Sequence, residues 1–253
     1  MVMKLAAIFF VWNDWDWLDI STAHISPLVD GIIVVASERS NHGELSPIPD
    51  DWKYKVVIRE PQFHVPMHSE TDKRNFGLSL ARKSGYTHFI SMDADEIYDP
   101  LEFTKDKERF NDPNLLGLVC RSQVYFGSPT LTIGLDTTLV PHIHKITPGL
   151  RHELNRNYPY AWEGKSIRID PTRSMNINSG VDLTDSVMHH YSHVRKDYEK
   201  KIRNSSARAN LERSTIRQDL VQAKEGYFVK FYGKSLVRVP NDFKIPEINV
   251  SNI

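Results

Sequence analysis

Residues Asp93-Ala94-Asp95-Glu96 gather three carboxylates directly after an apolar run, His88 to Met92 (HFISM). Side chains alternate along an extended segment, so Asp93 and Asp95 are expected on the same side of it. Two carboxylates held together suit a hard divalent cation, Mg2+ or Mn2+, that keeps positions open for phosphate oxygens. Their mutual repulsion is a cost that a bound cation removes. The same tripeptide, taken alone, also reads as a loop of solvated acids after a strand. The elements around it therefore carry the argument.

Those elements alternate between two hydrophobic periods. Lys4 to Trp12 (KLAAIFFVW) is a continuous apolar run of strand length, as in a parallel strand covered on both faces. Asn13 and Asp14 can cap a helix over residues 15–28, with Trp17, Ile20, Ala23 and His24 on one face. Gly31 to Ala36 and Tyr54 to Ile58 read as further strands. A helix over residues 69–84 follows, with Phe76, Leu80 and Ala81 at helical spacing and Gly85 as its stop. Alternation of this kind predicts an α/β domain with a mostly parallel sheet, whose ligands bind beyond the carboxyl ends of the strands. The acidic tetrapeptide occupies such an end.

The second half predicts a strand over residues 116–125, short β segments at 138–146 and 166–169, and a strand at 186–190 ending in histidines. From Arg195 to about Gly226 the pattern is one long helix, with Tyr198, Ile202, Leu211, Ile216 and Leu220 buried. The tail from Pro240 is polar and proline-bearing. The chain of 253 residues has zero formal net charge, which gives no global argument for nucleic acid or membrane. Residues 195–238 nevertheless hold twelve Lys/Arg against five Asp/Glu, which suits an anionic partner or a solvated face. The single cysteine, Cys120, has no internal partner, and no apolar run is long enough to span a bilayer, so a cytoplasmic protein is expected.

The stretch Asp72 to Glu96, DKRNFGLSLARKSGYTHFISMDADE, resembles the core signature of family-2-type glycosyltransferases of the GT-A fold. Matching residues are Arg74, Asn75, Gly77, Ala81, Phe89, Asp93, Asp95 and Glu96. His189-His190-Tyr191-Ser192, with Arg195 and Lys201-Ile202, resembles the segment that supplies a metal-binding histidine in several such families. The resemblance implies a Rossmann-like, mostly parallel sheet flanked by helices, with a C-terminal helical extension. Residues 1–130 would form the nucleotide-sugar-binding half, 131–194 the acceptor half of the same domain, and 195–253 a helix and tail.

It further implies that Asp95 is a direct ligand of Mn2+ or Mg2+, that Asp93 contacts the ribose or the metal's waters, and that His190 (or His189) completes the site. Arg74, with Asn75 beside it, would share the charge of the diphosphate. Trp12 and Asn13 end the first strand and Glu38 follows the second, where the nucleobase pocket of this fold lies. For the general base, Glu163 beside Trp162 leads, because a tryptophan can stack on a sugar; Asp182 and Glu153 are rivals.

The function implied is transfer of a sugar from a nucleoside-diphosphate sugar to a hydroxyl acceptor. That acceptor is a saccharide or, as in enzymes of bacteriophage type acting in the host cytoplasm, a modified DNA base. Two other readings compete. A sugar-nucleotidyltransferase would normally show a Gly-rich phosphate loop near the first strand, whereas FFVWNDWDW has no glycine. A non-catalytic sugar- or nucleic-acid-binding module would retain the fold without turnover.

Overall fold

In a computed structural model, the first apolar run forms β1 (Leu5–Val11), buried along its length except for Phe10. The structure describes residues 2–154, 161–162, 165–166, 169–205 and 208–248, with only the backbone at 161–162 and 165–166. After β1 come α1 (Trp15–Ile25), β2 (Gly31–Ala36), β3 (Val56–Ile58), α2 (Pro66–Lys83), β4 (His88–Asp93), β5 (Glu96–Tyr98) and α3 (Pro100–Arg109). The second half holds β6 (Gly117–Phe126), β7 (Leu131–Lys145), β8 (Ala161–Trp162), β9 (Lys165–Ser166) and β10 (Val181–His193). Last come α4 (Tyr198–Asn204), α5 (Arg208–Arg213), α6 (Ile216–Val221), β11 (Phe228–Val229), β12 (Lys234–Ser235) and β13 (Val237–Arg238).

The main sheet runs in the order β3-β2-β1-β4-β7-β6-β10-β5, with β13 paired to β7. β3, β2, β1 and β4 are mutually parallel, and β7 lies antiparallel to β4. The fold is a Rossmann-like α/β arrangement, a central parallel sheet flanked by helices. Two compact units divide the chain: residues 1–121 with 137–188, and residues 122–136 with 189–253.

In the first unit the core gathers Ile8, Val35, Leu78, Ala81, Phe89 and Val119 from the strands and α2. Helix α2 presses closely on β1. A Cβ at Gly77 would come within 2.7 Å of Ile8 Cγ2 and 3.0 Å of Phe10, so only glycine permits this approach. In the second unit, Tyr198, Ile202, Leu211, Ile216 and Leu220 join Phe126, Val229 and Leu236 in a separate core.

Several expectations change. The buried face of α1 is Trp17, Leu18, Ser21, Thr22 and Ile25; Ala23 is exposed and Ile20 and His24 are only partly covered. The helix rests on the row 17-21-25, one step round from the predicted face. The long helix predicted from Arg195 is three short ones, although all five of its predicted core positions are buried. Extended backbone at Ser205 ends the first of them, and Ser214 and Thr215 precede the last. The Ser214 side chain bonds local backbone in competition with helix continuation: its Oγ donates to the Leu211 carbonyl at 2.7 Å. Helix α3, absent from the sequence-based expectations, starts at an Asp99 cap that accepts from the Leu101 and Glu102 amides. The tail is packed as far as Ile245, which is 2% exposed.

Candidate functional site

Because β3, β2, β1 and β4 are parallel, their carboxyl ends share one edge. Chain order reverses between β1 and β4, the place where such sheets open a crevice. Phe10 of β1 is in register with Asp93 of β4, so the acidic segment stands at that reversal. The sheet does not continue extended through the tripeptide. β4 stops at Asp93, Ala94 and Asp95 form a turn, and β5 resumes at Glu96. The Ser21 hydroxyl of α1 pins this turn between the carbonyls of Ala94 and Glu96, the latter at 2.9 Å. Strand alternation therefore does not apply, and Asp93 and Asp95 part company: Asp95 is 2% exposed, whereas a third of the Asp93 side chain reaches solvent.

Two guanidinium groups grip Asp93. Arg74 NH2 donates to Oδ1 at 3.0 Å, and Arg173 NH2 donates to Oδ2 at 2.7 Å. Arg74 also donates to Ser91 Oγ at 3.1 Å and to Glu70 at 3.2 Å, and its guanidinium lies 5.0 Å over the Phe10 ring. Arg173 donates to both oxygens of the buried Glu96, with NH1 at 3.0 Å from Oε2, and its Nε lies 3.5 Å from Asp170. Both arginines are buried, which makes their pairing obligatory. Beside them Lys73 Nζ donates to Ser37 Oγ at 2.7 Å, just past the end of β2.

Among the described residues, acids outnumber cations in this cluster. Glu70, Asp93, Glu96 and Asp170 are bonded to Arg74 and Arg173, while Asp95 and Lys73 act on them through charge. The consequence appears on Glu96. Burial pushes its carboxyl up to about 7, with Asp93 and Asp95 adding to the shift and Arg173 opposing it. Burial works against the Arg173 cation too, but Asp93 and Glu96 outweigh it and its pKa stands above the usual arginine value. Burial pushes the Lys73 ammonium down to about 8, against the pull of Glu70 and Glu60.

Five of the predicted residues meet at this edge. Arg74 and Asp93 are bonded; Trp12 and Asn13 follow β1, and Trp12 Nε1 donates to the Glu38 carbonyl at 3.3 Å. Glu38 is held by Glu60, whose carboxylate accepts from the Glu38 and Arg39 amides at 2.7 and 3.2 Å. Asn75 turns elsewhere: its amide clamps the His152 backbone, Nδ2 to the carbonyl at 3.0 Å and Oδ1 from the N–H at 2.7 Å. Asp182 lies by Arg109, 2.9 Å away, at the end of the sheet where β4 begins. The length of β4, roughly 16 Å at strand rise, separates that end from Asp93. Glu153 sits closer, its N–H bonded to the carbonyl of Ser174, next to Arg173. Glu163 lies outside the described residues. His190 belongs to the second unit, partly covered on β10; there His189 Nδ1 meets the Tyr125 hydroxyl at 2.9 Å.

Among the described residues no three His, Cys, Asp or Glu side chains converge as a ready-made metal site. The donor chemistry at Asp93 still suits Mg2+ or Mn2+. These ions use one or two carboxylates and take their other ligands from phosphates and water.

Arg173 is not legible as a site residue in the sequence. Asp170-Pro171-Thr172-Arg173 signals a turn, which forms with Asp170 Oδ1 accepting from the Thr172 amide at 2.9 Å. Nothing in that signal says what the arginine touches 80 residues back in the chain. Lys73 lies inside the Asp72–Glu96 motif, but only its reach across to Ser37 gives it a place at the edge. A cavity of about 410 Å³ opens beyond β2 and β3, lined by Arg39, His42, Glu60, Phe63 and His64 among others.

No family model and no curated protein matches the chain. Among solved structures, S. aureus TarS 1–349 is similar over 49% of this chain and 36% of its own, at 14% identity and TM-score 0.30. A mannose-1-phosphate geranyltransferase from Thermus thermophilus is similar over 51% and 44%, at 12% identity and TM-score 0.30. A putative glucose-1-phosphate thymidylyltransferase from Bacillus anthracis is similar over 87% and 83%, at 12% identity and TM-score 0.28. Likenesses at this level assign neither family nor function. No helix among the described residues is long and apolar enough to cross a membrane.

Proposed function

We propose that the chain transfers a sugar from a nucleoside-diphosphate sugar to a hydroxyl acceptor, with its chemistry at Asp93. The observation that carries this reading is one partly exposed carboxylate, gripped by two buried guanidinium groups, at the point where a parallel sheet reverses its order. The base and ribose would lie across the ends of β1 and β2, by Trp12, Asn13 and Glu38, towards the cavity under Phe63. The diphosphate would face Asp93. A divalent cation, Mn2+ or Mg2+, held at Asp93 would supply charge neutralisation to the leaving diphosphate.

The chain's own residues do the rest. Arg74 and Arg173 fix the Asp93 carboxylate so that no reorganisation is needed when the donor arrives. The acceptor oxygen bonds to the anomeric carbon as the bond to the diphosphate oxygen breaks. The acceptor proton goes to a carboxylate, for which Glu163 is the proposed base, and the nucleoside diphosphate departs with the electron pair. The acceptor is a saccharide or a modified DNA base.

The test is a panel of nucleotide sugars with Mn2+ or Mg2+, scored for nucleoside-diphosphate release. One donor is expected to be hydrolysed slowly, and Asp93→Asn to abolish that release. Glu163→Gln should lower transfer by about 10²- to 10⁴-fold without weakening nucleotide binding. Release of pyrophosphate would mean nucleotidyl transfer instead. No release from any donor, with no thermal stabilisation by any nucleoside diphosphate, would sink the reading.

A further inference from the structure

The second unit carries the charge imbalance noted in the sequence, twelve Lys/Arg against five Asp/Glu between residues 195 and 238. Each of those five acids has a partner within the unit. Asp197 caps α4 through the Lys200 amide at 2.8 Å. Glu199 pairs with Arg217, Glu212 with Arg208 at 2.7 Å, and Glu225 with Arg238 at 3.1 Å. Asp219 is buried and accepts from Thr215 Oγ1, the Tyr227 hydroxyl and the Phe231 amide, at 2.8, 3.0 and 3.1 Å. Three arginines are neutralised this way, and the stretch keeps a strong positive excess.

The β11–β12 hairpin displays part of that excess beside aromatic rings. Val229 is its buried residue; Phe228, opposite Ser235, faces outward and is 54% exposed. Phe231 is 38% exposed, and Lys230 between the two rings is exposed, as is Lys224 just before the hairpin. In sequence a lysine separates the two exposed rings. Alternating rings and cations fit a chain that itself alternates bases and phosphates. The exposed aliphatic residues nearby, Val221 and Val237, stand on separate elements, α6 and β13, so the two rings are not part of a broad apolar face.

We propose that the β11–β12 hairpin of the second unit docks single-stranded nucleic acid, Phe228 and Phe231 stacking on unpaired bases while Lys224 and Lys230 contact phosphates. This surface stands apart from the donor reading. A chain that binds oligonucleotide but releases no nucleoside diphosphate would uphold the one and sink the other.

The experiment is fluorescence anisotropy of a labelled oligothymidine, about 20 nucleotides long to exceed the usual site size, with the full chain across a salt series. Binding is expected to weaken as salt rises, and Lys224→Glu with Lys230→Glu to flatten the slope by about 0.7 per lysine. Phe228→Ala and Phe231→Ala, each checked by its thermal midpoint for an intact fold, should each weaken binding by about fivefold to a hundredfold. The proposal is overturned by no binding at low salt, or by phenylalanine variants that bind like the parent. It is equally overturned if those variants lose phosphatidylglycerol vesicles while oligonucleotide binding is unchanged, which would assign the patch to anionic lipid.

Discussion

Lys73 should make the protein's stability rise with pH in the alkaline range, and its replacement by methionine should remove that rise. The ammonium is buried at the carboxyl edge of the sheet, and burial lowers its pKa from 10.5 to about 8. Below pH 8 the lysine is charged in both folded and unfolded chains, and the folded state bears the full penalty. Between pH 8 and 10.5 the folded chain gives up the proton first, so the unfolded chain binds more protons and stability climbs. Above 10.5 the penalty is gone. A shift of that size corresponds to about 3 kcal/mol at pH 7, most of which is recovered by pH 10.

The assay is urea unfolding of the parent and Lys73→Met at pH 7 and pH 10. Loss of the bond to Ser37 Oγ costs the variant about 1–3 kcal/mol at either pH, so it cancels in the comparison. The difference between the two proteins should shift by about 2–3 kcal/mol in favour of the parent from pH 7 to pH 10. Parallel pH dependences would refute the reasoning, because they would mean that Lys73 titrates alike in the folded and unfolded chains.

Two further predictions concern the same edge. Arg173→Met leaves Glu96 and Asp93 without their shared partner and should lower unfolding stability by about 3–5 kcal/mol, with Arg173→Lys falling between, as read by urea unfolding near neutral pH. A methionine variant as stable as the parent would remove Arg173 from the account. Gly77→Ala should destabilise by about 1–3 kcal/mol despite alanine's better helix propensity, because the new methyl meets Ile8 and Phe10. An unchanged or higher urea midpoint would show that α2 can lift away from β1.

Local pattern is enough for the strands and helices that frame the edge. β1 and β2 read as unbroken apolar runs because strands covered on both faces have no polar side to alternate with. Gly85 after α2 and the run HFISM into Asp93 are equally local signals, and the edge follows from their alternation. The buried positions of the C-terminal helices are legible for the same reason: five apolar residues in a polar stretch have to find a core.

What surrounds Asp93 is not legible. The partner on its far side, Arg173, comes from a turn 80 residues later, and turn chemistry fixes a backbone path without saying where the side chain lands. The turn at Ala94-Asp95 depends on Ser21 of another helix, so a spacing that promises two matched carboxylates yields one partly exposed and one buried. Asn75 spends its amide on a backbone that only the fold brings near. Residue types and their local periods are properties of the chain itself. Which charges are buried together, and therefore which must pair, is decided only when distant segments close on one another and exclude water.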